Sequence, residues 1–235
     1  MQEGQVDQTI RHDSPSTNAP VDSFMEQHLA DITSSVRTTL ETQLKDYPDE
    51  LEEELPEYID REKGFVTAVI QAYERWSKEE QPIVLWDVDN TIGAYDMKRV
   101  WHFRPSFIPL MAFLGESFPS VQNGILSNRT NVEEQLSNSD GLGPIAAFIN
   151  PQYIYSSRDV GITDEEQMAQ QVYAEDNVHP NLDHLQKLNV AQRLQKEGKN
   201  VKVIDDNTVA KSMKQDGIYL GRSPAYSSGL AFSAF

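Results

Sequence analysis

From residue 81 onwards, short apolar runs alternate with segments of helical periodicity. The runs lie at residues 83–86, 124–126, 153–155, 201–204 and 218–220, and the helical segments at 106–114, 132–136, 182–194 and 208–213. Short buried strands joined by crossover helices are typical of a parallel sheet. The alternation therefore predicts an α/β fold with a five-stranded parallel sheet and helices on both faces.

The first 80 residues have a different pattern. Residues 1–22 are polar without an apolar period and are expected to be flexible. Apolar residues at helical spacing predict helices over 23–46 and 61–78, and the acidic run 49–60 between them is interpreted as a solvated linker or helix surface. We expect four parts: a polar N-terminus (1–22), a helical acidic extension (23–80), a catalytic domain (81–222) and a tail (223–235).

Charge and composition exclude several classes of protein. The formal net charge is −17, and residues 1–80 alone hold 19 acidic and 7 basic side chains, so neither a nucleic-acid nor an anionic-membrane partner is expected. There is no cysteine, which removes disulfides, thiolate metal sites and cysteine nucleophiles. No apolar stretch approaches a membrane span and no secretory signal is recognised, so we expect a soluble, cytoplasmic protein.

Polar residues follow three of the apolar runs at the edge of the sheet where ligands bind in open α/β folds. They are Asp87, Asp89 and Thr91 after the first run, Ser127 to Thr130 after the second, and Asp205 and Asp206 after the fourth. Singly, each also suits a turn or a helix cap. Together, the four carboxylates at one edge predict a hard divalent cation, Mg²⁺, and with it a phosphate substrate.

The spacing of Asp87 and Asp89 suggests a division of labour. In an extended segment, residues two apart face the same way, so both carboxylates can address one substrate if that geometry continues past the strand end. One carboxylate can attack phosphorus, while its neighbour protonates the leaving oxygen and later deprotonates water.

These motifs, in this order over about residues 82–222, resemble those of the haloacid dehalogenase (HAD) superfamily of phosphohydrolases. The resemblance implies a Rossmann-like fold and a phosphatase with Asp87 as the nucleophile, forming an aspartyl-phosphate. It also implies Asp89 as general acid/base and as a Mg²⁺ ligand through its backbone carbonyl, and Thr91 as a brace of the motif loop. Ser127 and the Asn128 amide are then expected to hold the phosphoryl group, Asp206 to bind Mg²⁺ directly, and Asp205 to act through water or by orienting a lysine.

The lysine of the family's third motif has three candidates: Lys187, Lys196 and Lys199. The first turns of a crossover helix lie at the carboxyl edge of the sheet and its end lies at the opposite edge. Lys187 is near the start of the 182–194 segment, so we predict that Lys187 is the lysine of the site. The alternative is that Lys187 is a solvated lysine on the surface of the helix.

Two arginines and a short segment were also considered as parts of the site. Arg129 and Arg158 follow strand runs and can reach a phosphate or its leaving group, although surface solvation explains each equally well. Residues 101–104 precede Pro105 and are interpreted as a flap at the entrance. His102 is expected to be a surface or core imidazole rather than a catalyst.

The spacings between motifs leave no room for a large cap domain. Thr91 and Ser127 are separated by 35 residues, and Thr130 and Lys187 by 56. The helices, strands and loops that connect the motifs need most of these residues. An open site favours a phosphate on a large substrate such as a phosphoprotein, as in the capless protein phosphatases that this chain resembles. The alternative is a phosphatase of small metabolites or nucleotides with the N-terminal helices as a lid.

Other classes of protein remain alternatives. A sugar-nucleotide glycosyltransferase can hold a metal with Asp-x-Asp but does not require Thr91, Ser127 and the acidic pair in this order. A dehalogenase of the same fold needs no carboxylate cluster. A non-catalytic module that binds Mg²⁺, or that docks a partner through the N-terminal helices, also fits the sequence.

Overall fold

The structure is a computed structural model that describes residues 18–43, 48–95, 101–129, 131–156, 182–206, 213 and 216–219. It is an α/β protein in which five strands form an all-parallel sheet with the order β5-β4-β1-β6-β7. These strands are β1 (Ile83–Trp86), β4 (Gln122–Leu126), β5 (Ile154–Tyr155), β6 (Val201–Asp205) and β7 (Gly217–Tyr219). The predicted parallel sheet is confirmed, and the arrangement is consistent with a Rossmann-like fold.

Helices and a small hairpin complete the described structure. The α-helices are α1 (Ala19–Gln43), α2 (Pro48–Trp76), α3 (Phe107–Ser117), α4 (Val132–Leu136) and α5 (Leu182–Lys196), with 3₁₀ helices at Gly143–Phe148 and Pro151–Tyr153. Strands β2 (Gly93–Tyr95) and β3 (Trp101–Phe103) pair antiparallel between β1 and α3. The hairpin occupies the position of the expected flap, although the sequence analysis assigned it no strands.

Alternation along the strands places hydrophobic side chains on both faces of the sheet. Val84 and Trp86 on β1 belong to the larger hydrophobic core, with α1, α2 and α3. Ile83 and Leu85 alternate with these residues and face the other side of the sheet, where they belong to a second core with Val190, Ala191 and Leu194 of α5. The central strand is therefore buried on both sides, which explains why its sequence is a continuous apolar run rather than an alternating one.

Of the two N-terminal helices, α2 packs against the sheet, and α1 packs against α2 and α3. On α2, the residues on the predicted apolar side are all buried: Phe65, Val66, Val69, Ile70, Tyr73 and Trp76. The Tyr73 hydroxyl contacts Asn123 of β4, and Trp86 Nε1 donates to both Tyr73 Oη and Asn123 Oδ1 at 3.1 Å. Helix α2 is thus tied to β1 and β4 by buried polar groups as well as by hydrophobic contacts.

The acidic run 49–60 is helical. It forms the first part of α2, with Pro56 inside the helix, and Leu55 and Tyr58 within it are buried. The sequence allowed two interpretations of this run. The structure agrees with the surface of a helix and not with a linker. The predicted helix at 208–213 falls outside the described residues except for Met213, as do residues 1–17 and 220–235.

Candidate functional site

The candidate site lies at the carboxyl edge of the sheet, at the central strand. The chain leaves β1 for β4 on one side and later forms β6 on the other, so β1 borders the point where the strand order reverses. Ligands bind at this point in open α/β sheets. The hydrogen bonds between neighbouring strands continue one residue past the ends of β1 and β4. The amide of Asp87 donates to Ile204 O at 2.9 Å, and the amide of Ser127 donates to Tyr155 O at 3.0 Å.

Three carboxylates meet at this edge. Asp87, Asp205 and Asp206 each place one oxygen within 4.8 Å of the others. Asp87 is 4 % exposed, Asp205 is fully buried and Asp206 is 8 % exposed. The register of the sheet explains why these carboxylates lie together. Trp86 of β1 lies opposite Ile204 of β6, and the residues that follow them, Asp87 and Asp205, are both aspartates.

Lys187 lies against two of these carboxylates. Its ammonium nitrogen is 2.6 Å from Asp87 Oδ1 and donates to Asp205 Oδ2 at 3.2 Å. Lys187 belongs to the second turn of α5, the end of that helix nearest the carboxyl edge. The other lysine candidates lie elsewhere: Lys196 ends α5, and Lys199 follows it with its ammonium 5.8 Å from the centre of the Tyr153 ring.

The electrostatics of the cluster are set by burial. Burial raises the pKa of Asp87 well above its ordinary range; Lys187 opposes this shift, and Asp205 and Asp206 add to it. Burial by itself lowers the pKa of Lys187, but attraction to Asp87 and Asp205 outweighs burial and raises it. Lys187 therefore stays protonated, whereas the ionised form of Asp87 is less favoured than that of an ordinary carboxyl group.

The donor set suits a divalent cation. Three carboxylates lie within 4.8 Å of one another in a largely buried volume, where ionised groups of like charge repel. Such repulsion is relieved by protonation or by a cation. Carboxylate oxygens are the ligands of hard cations such as Mg²⁺ and Ca²⁺. Asp87, Asp205 and Asp206 are the described residues that can hold one.

The loop after Asp87 turns sharply. Asn90 has a φ of 61°, in the left-handed region that asparagine tolerates, and its amide donates to Gly93 O at 2.8 Å. Ile92 N donates to Val88 O at 3.2 Å, which closes the turn. The extended geometry considered for residues 87–89 thus gives way to a turn. Asp89 lies outside the carboxylate cluster, and its side chain is 51 % exposed.

Arg129 holds the Asp89 side chain. Its Nε donates to Asp89 Oδ2 at 2.9 Å, and its Nη2 contacts Asp89 Oδ1. Its Nη1 donates to Gln135 Oε1 at 2.6 Å, and the guanidinium carbon lies 4.4 Å from the centre of the Trp101 ring. The structure thus places this sequence-predicted arginine on Asp89.

The other residues predicted to bind the phosphoryl group follow β1 and β4, which are neighbours in the sheet. Ser127 follows β4 and is fully buried, and its Oγ accepts a hydrogen bond from the Arg129 amide at 3.2 Å. Thr91 is fully buried in the motif loop. Two side-chain oxygens, Thr91 Oγ1 and Asn128 Oδ1, are buried with no hydrogen-bond partner among the residues that the structure describes.

A buried ion pair behind the motif loop was not found from the sequence. Arg104 Nε donates to Glu62 Oε1 of α2 at 2.7 Å, Ser106 Oγ donates to Glu62 Oε2 at 2.5 Å, and Arg104 Nη1 donates to Thr91 O at 3.4 Å. All four residues are buried. The one signal in the sequence was Arg104, the last residue of the expected flap, directly before Pro105. Nothing distinguished Glu62 from the other acidic residues of α2.

Some sequence predictions fall elsewhere. Arg158 and Thr130 lie outside the described residues. His102 is exposed on β3, opposite Ala94.

Comparison of the chain with protein-family models, with curated proteins and with solved structures finds no match. Among the described helices, none combines the length and the apolar character needed to span a membrane.

Proposed function

We propose that this chain is a Mg²⁺-dependent phosphohydrolase of the HAD superfamily that cleaves phosphoesters through an aspartyl-phosphate on Asp87. One observation carries the proposal. At the reversal point of a parallel sheet, Asp87 contacts a buried lysine at 2.6 Å and shares a 4.8 Å cluster with Asp205 and Asp206. A nucleophilic carboxylate, a fixed cation and a set of metal ligands are the groups that phosphoryl transfer requires.

The cation would be held by Asp87, Asp205 and Asp206, together with the backbone carbonyl of Asp89 that the resemblance implies. When bound, Mg²⁺ would offset the charge on these carboxylates and on the phosphoryl oxygens. The ammonium group of Lys187 would stabilise the same negative charge. Because burial raises the pKa of Asp87, its carboxyl group needs added positive charge to take the ionised form that attacks phosphorus, and a bound cation would supply that charge.

The reaction has two steps. In the first, Asp87 Oδ forms a bond to phosphorus, the bond to the ester oxygen breaks, and Asp89 gives its proton to that oxygen. In the second, Asp89 takes a proton from water as the water attacks phosphorus, and the bond to Asp87 breaks to release phosphate. Ser127 and the Asn128 amide, which follow β4, would hold the transferring group.

For the substrate, we propose a phosphate carried on a large molecule such as a phosphoprotein. Support comes from the connection between β1 and β4, which holds only the β2–β3 hairpin and α3 among its described residues. A small phosphoester with the N-terminal helices as a lid is the other candidate. The burial of α2 against the sheet speaks against a freely moving lid.

The experiment is phosphate release from an aryl phosphate by the full chain. We expect turnover with Mg²⁺, and loss of it with EDTA and in Asp87→Asn. Asp60→Asn, a change at an exposed carboxylate that is 75 % accessible on α2, is the matched control and should retain full activity. Equal turnover in all four conditions would overturn the proposal. A panel of phosphopeptides, sugar phosphates and nucleotides then separates the substrate classes.

A further inference from the structure

The ion pair between Glu62 and Arg104 links helix α2 to the motif loop, residues 87–92. The side chains of Arg104 and Glu62 are 4 % and 7 % exposed, and Ser106 beside them is fully buried. One carboxylate oxygen of Glu62 accepts from Arg104 Nε at 2.7 Å and the other from Ser106 Oγ at 2.5 Å. Both oxygens of this glutamate therefore have a donor, and its orientation is fixed.

Arg104 is held by α2 and holds the motif loop in turn. Its guanidinium carbon lies 3.9 Å from the centre of the Phe65 ring, three residues after Glu62 on α2. Its Nη1 donates to Thr91 O at 3.4 Å, and its main-chain amide donates to Ile92 O at 2.9 Å. Helix α2 thus supplies the counter-charge and a stacking face, and the motif loop supplies two acceptors for the same arginine.

Hydrogen bonds continue from this end of the motif loop to Asp87. The amide of Ile92 donates to Val88 O at 3.2 Å, and the amide of Val88 donates to Asp87 Oδ1 at 2.8 Å. The same oxygen of Asp87 lies 2.6 Å from the ammonium nitrogen of Lys187. An unbroken series of contacts therefore connects α2 with the carboxylate that is the proposed nucleophile.

A buried ion pair in this position suits a role in geometry better than one in stability. Desolvation of the two charges offsets much of their attraction, so a hydrophobic pair of similar volume is often as stable. Charge-assisted hydrogen bonds of arginine, by contrast, fix direction as well as distance. Glu62 and Arg104 therefore have the properties needed to hold the motif loop in one place.

We propose that Glu62 and Arg104 are positioning residues, which hold the motif loop so that the carboxylate of Asp87 keeps its place beside Lys187. This inference rests on the proposed function and adds to it, because it makes helix α2 a part of the catalytic unit rather than a lid. A misplacement of about 1 Å caused far from the reacting atoms can lower the rate about 100-fold. Loss of these contacts should therefore slow the chemical step.

The first measurement is the steady-state kinetics of Arg104→Lys on an aryl phosphate with Mg²⁺. Lysine keeps the positive charge and can meet Glu62, but one ammonium cannot reproduce the fork that reaches Glu62 and Thr91 O together. We expect kcat to fall at least about tenfold and KM to stay within about threefold. Glu62→Gln keeps an acceptor for Arg104 Nε, so its kcat should lie between those of wild type and Glu62→Ala.

Lys202→Met is the matched control. Lys202 is also 4 % exposed, and it pairs with Glu79 and Asp216 outside the carboxylate cluster. Its replacement should lower the free energy of unfolding, as in Arg104→Lys, because each variant disturbs a buried ion pair. Below the melting temperature of the variant, kcat of Lys202→Met should stay within about twofold of wild type.

The second measurement requires no turnover. Native-state hydrogen exchange in EDTA reports local opening of the motif loop, and the amides of Asn90 and Ile92 both donate to carbonyl groups within or next to this loop. Their exchange should be at least about tenfold faster in Arg104→Lys than in Lys202→Met, because only the first variant releases the loop. The amides of β1 report opening of the core in both variants.

The outcomes separate the inference from the proposed function. Full kcat in folded Arg104→Lys, a loss no larger than that in Lys202→Met, or unchanged exchange at Asn90 and Ile92 would each overturn the inference and leave the phosphatase intact. A wild-type chain without Mg²⁺-dependent, Asp87-dependent turnover would overturn the proposed function, and the catalytic role of the pair with it. Circular dichroism identifies a variant that does not fold. In that case Ser106→Ala, which removes one hydrogen bond to Glu62, decides by the same two measurements, with smaller effects in the same direction expected.

Discussion

The ammonium nitrogen of Lys187 lies between Asp87 and Asp205, 2.6 Å from an oxygen of the first and 3.2 Å from an oxygen of the second. All three side chains are at least 95 % buried. The contact joins the first turns of α5 to the ends of the two central strands. Its strength depends on low solvent exposure, because charge pairs at the surface contribute little.

Replacing Lys187 with methionine should destabilise the fold in a way that Mg²⁺ corrects. Removing one partner of a buried ion pair costs about 3–5 kcal/mol, and a cation in the cluster can take over part of the charge of the lysine. Lys202 is the matched control, because it is 4 % exposed and lies 2.7 Å from Glu79 and 2.6 Å from Asp216, outside the cluster. Urea unfolding of Lys187→Met and Lys202→Met, with and without Mg²⁺, should show a larger gain in the free energy of unfolding for Lys187→Met than the gain that Lys202→Met shares with wild type. Equal gains in both would contradict the assignment.

Mg²⁺ itself should stabilise the wild-type chain. A ligand that binds only the folded state at 100 times its Kd adds about 2.7 kcal/mol to the free energy of unfolding. Asp206→Asn removes one of the three clustered carboxylates and should reduce this gain. Asp216→Asn, at the carboxylate that pairs with Lys202, should keep it. The measurement is a Mg²⁺ titration of the melting temperature, and the same gain in both variants would argue against metal binding by the cluster.

The pH dependence of stability should carry the signature of Asp87. Burial raises the pKa of its carboxyl group well above the usual value, with further contributions from Asp205 and Asp206. The stability that its proton provides is therefore fully present below about pH 4 and is lost as the pH rises through the raised pKa. In EDTA, Asp87→Asn should thus be more stable than wild type at pH 8, with the difference shrinking towards pH 4. A difference that is constant with pH would contradict this.

The sequence predicted the sheet well for a physical reason. Buried parallel strands are continuous apolar runs, and the strand with the strongest run, Ile83–Trp86, has the same bounds in sequence and structure. Parallel register then brings residues 87 and 205 together without any knowledge of side-chain packing. The choice of Lys187 followed from the direction of a crossover helix alone.

What the sequence did not predict depends on contacts between distant segments. Glu62 and Arg104 are 42 residues apart and meet only because α2 packs beside the motif loop. The contact between Arg129 and Asp89 depends on the turn at Asn90, which ends the extended geometry on which the expected alignment of Asp87 and Asp89 relied. Neither the turn nor the partner leaves a periodic pattern in the sequence.

The buried Glu62–Arg104 pair should matter more for stability than a pair at the surface. Glu62→Ala leaves Arg104, which is 4 % exposed, without its carboxylate, so we expect a loss of about 3 kcal/mol or more. Glu52→Ala removes the partner of Arg37 at the surface, where the two side chains are 67 % and 41 % exposed, and should cost less than about 1 kcal/mol. Chemical denaturation of both variants measures the difference. Similar losses would show that the buried pair does not anchor α2 to the motif loop.

Rapid acid quench followed by mass spectrometry detects the covalent intermediate proposed on Asp87. The protein is mixed with a phosphate ester and Mg²⁺, quenched during turnover, digested and mapped. The added mass of one phosphoryl group is expected on the peptide that contains Asp87, and it should be absent with EDTA and in Asp87→Asn. Phosphate release from the wild-type protein with no phosphorylated Asp87 at any quench time, or with equal turnover by Asp87→Asn, would contradict the proposed intermediate.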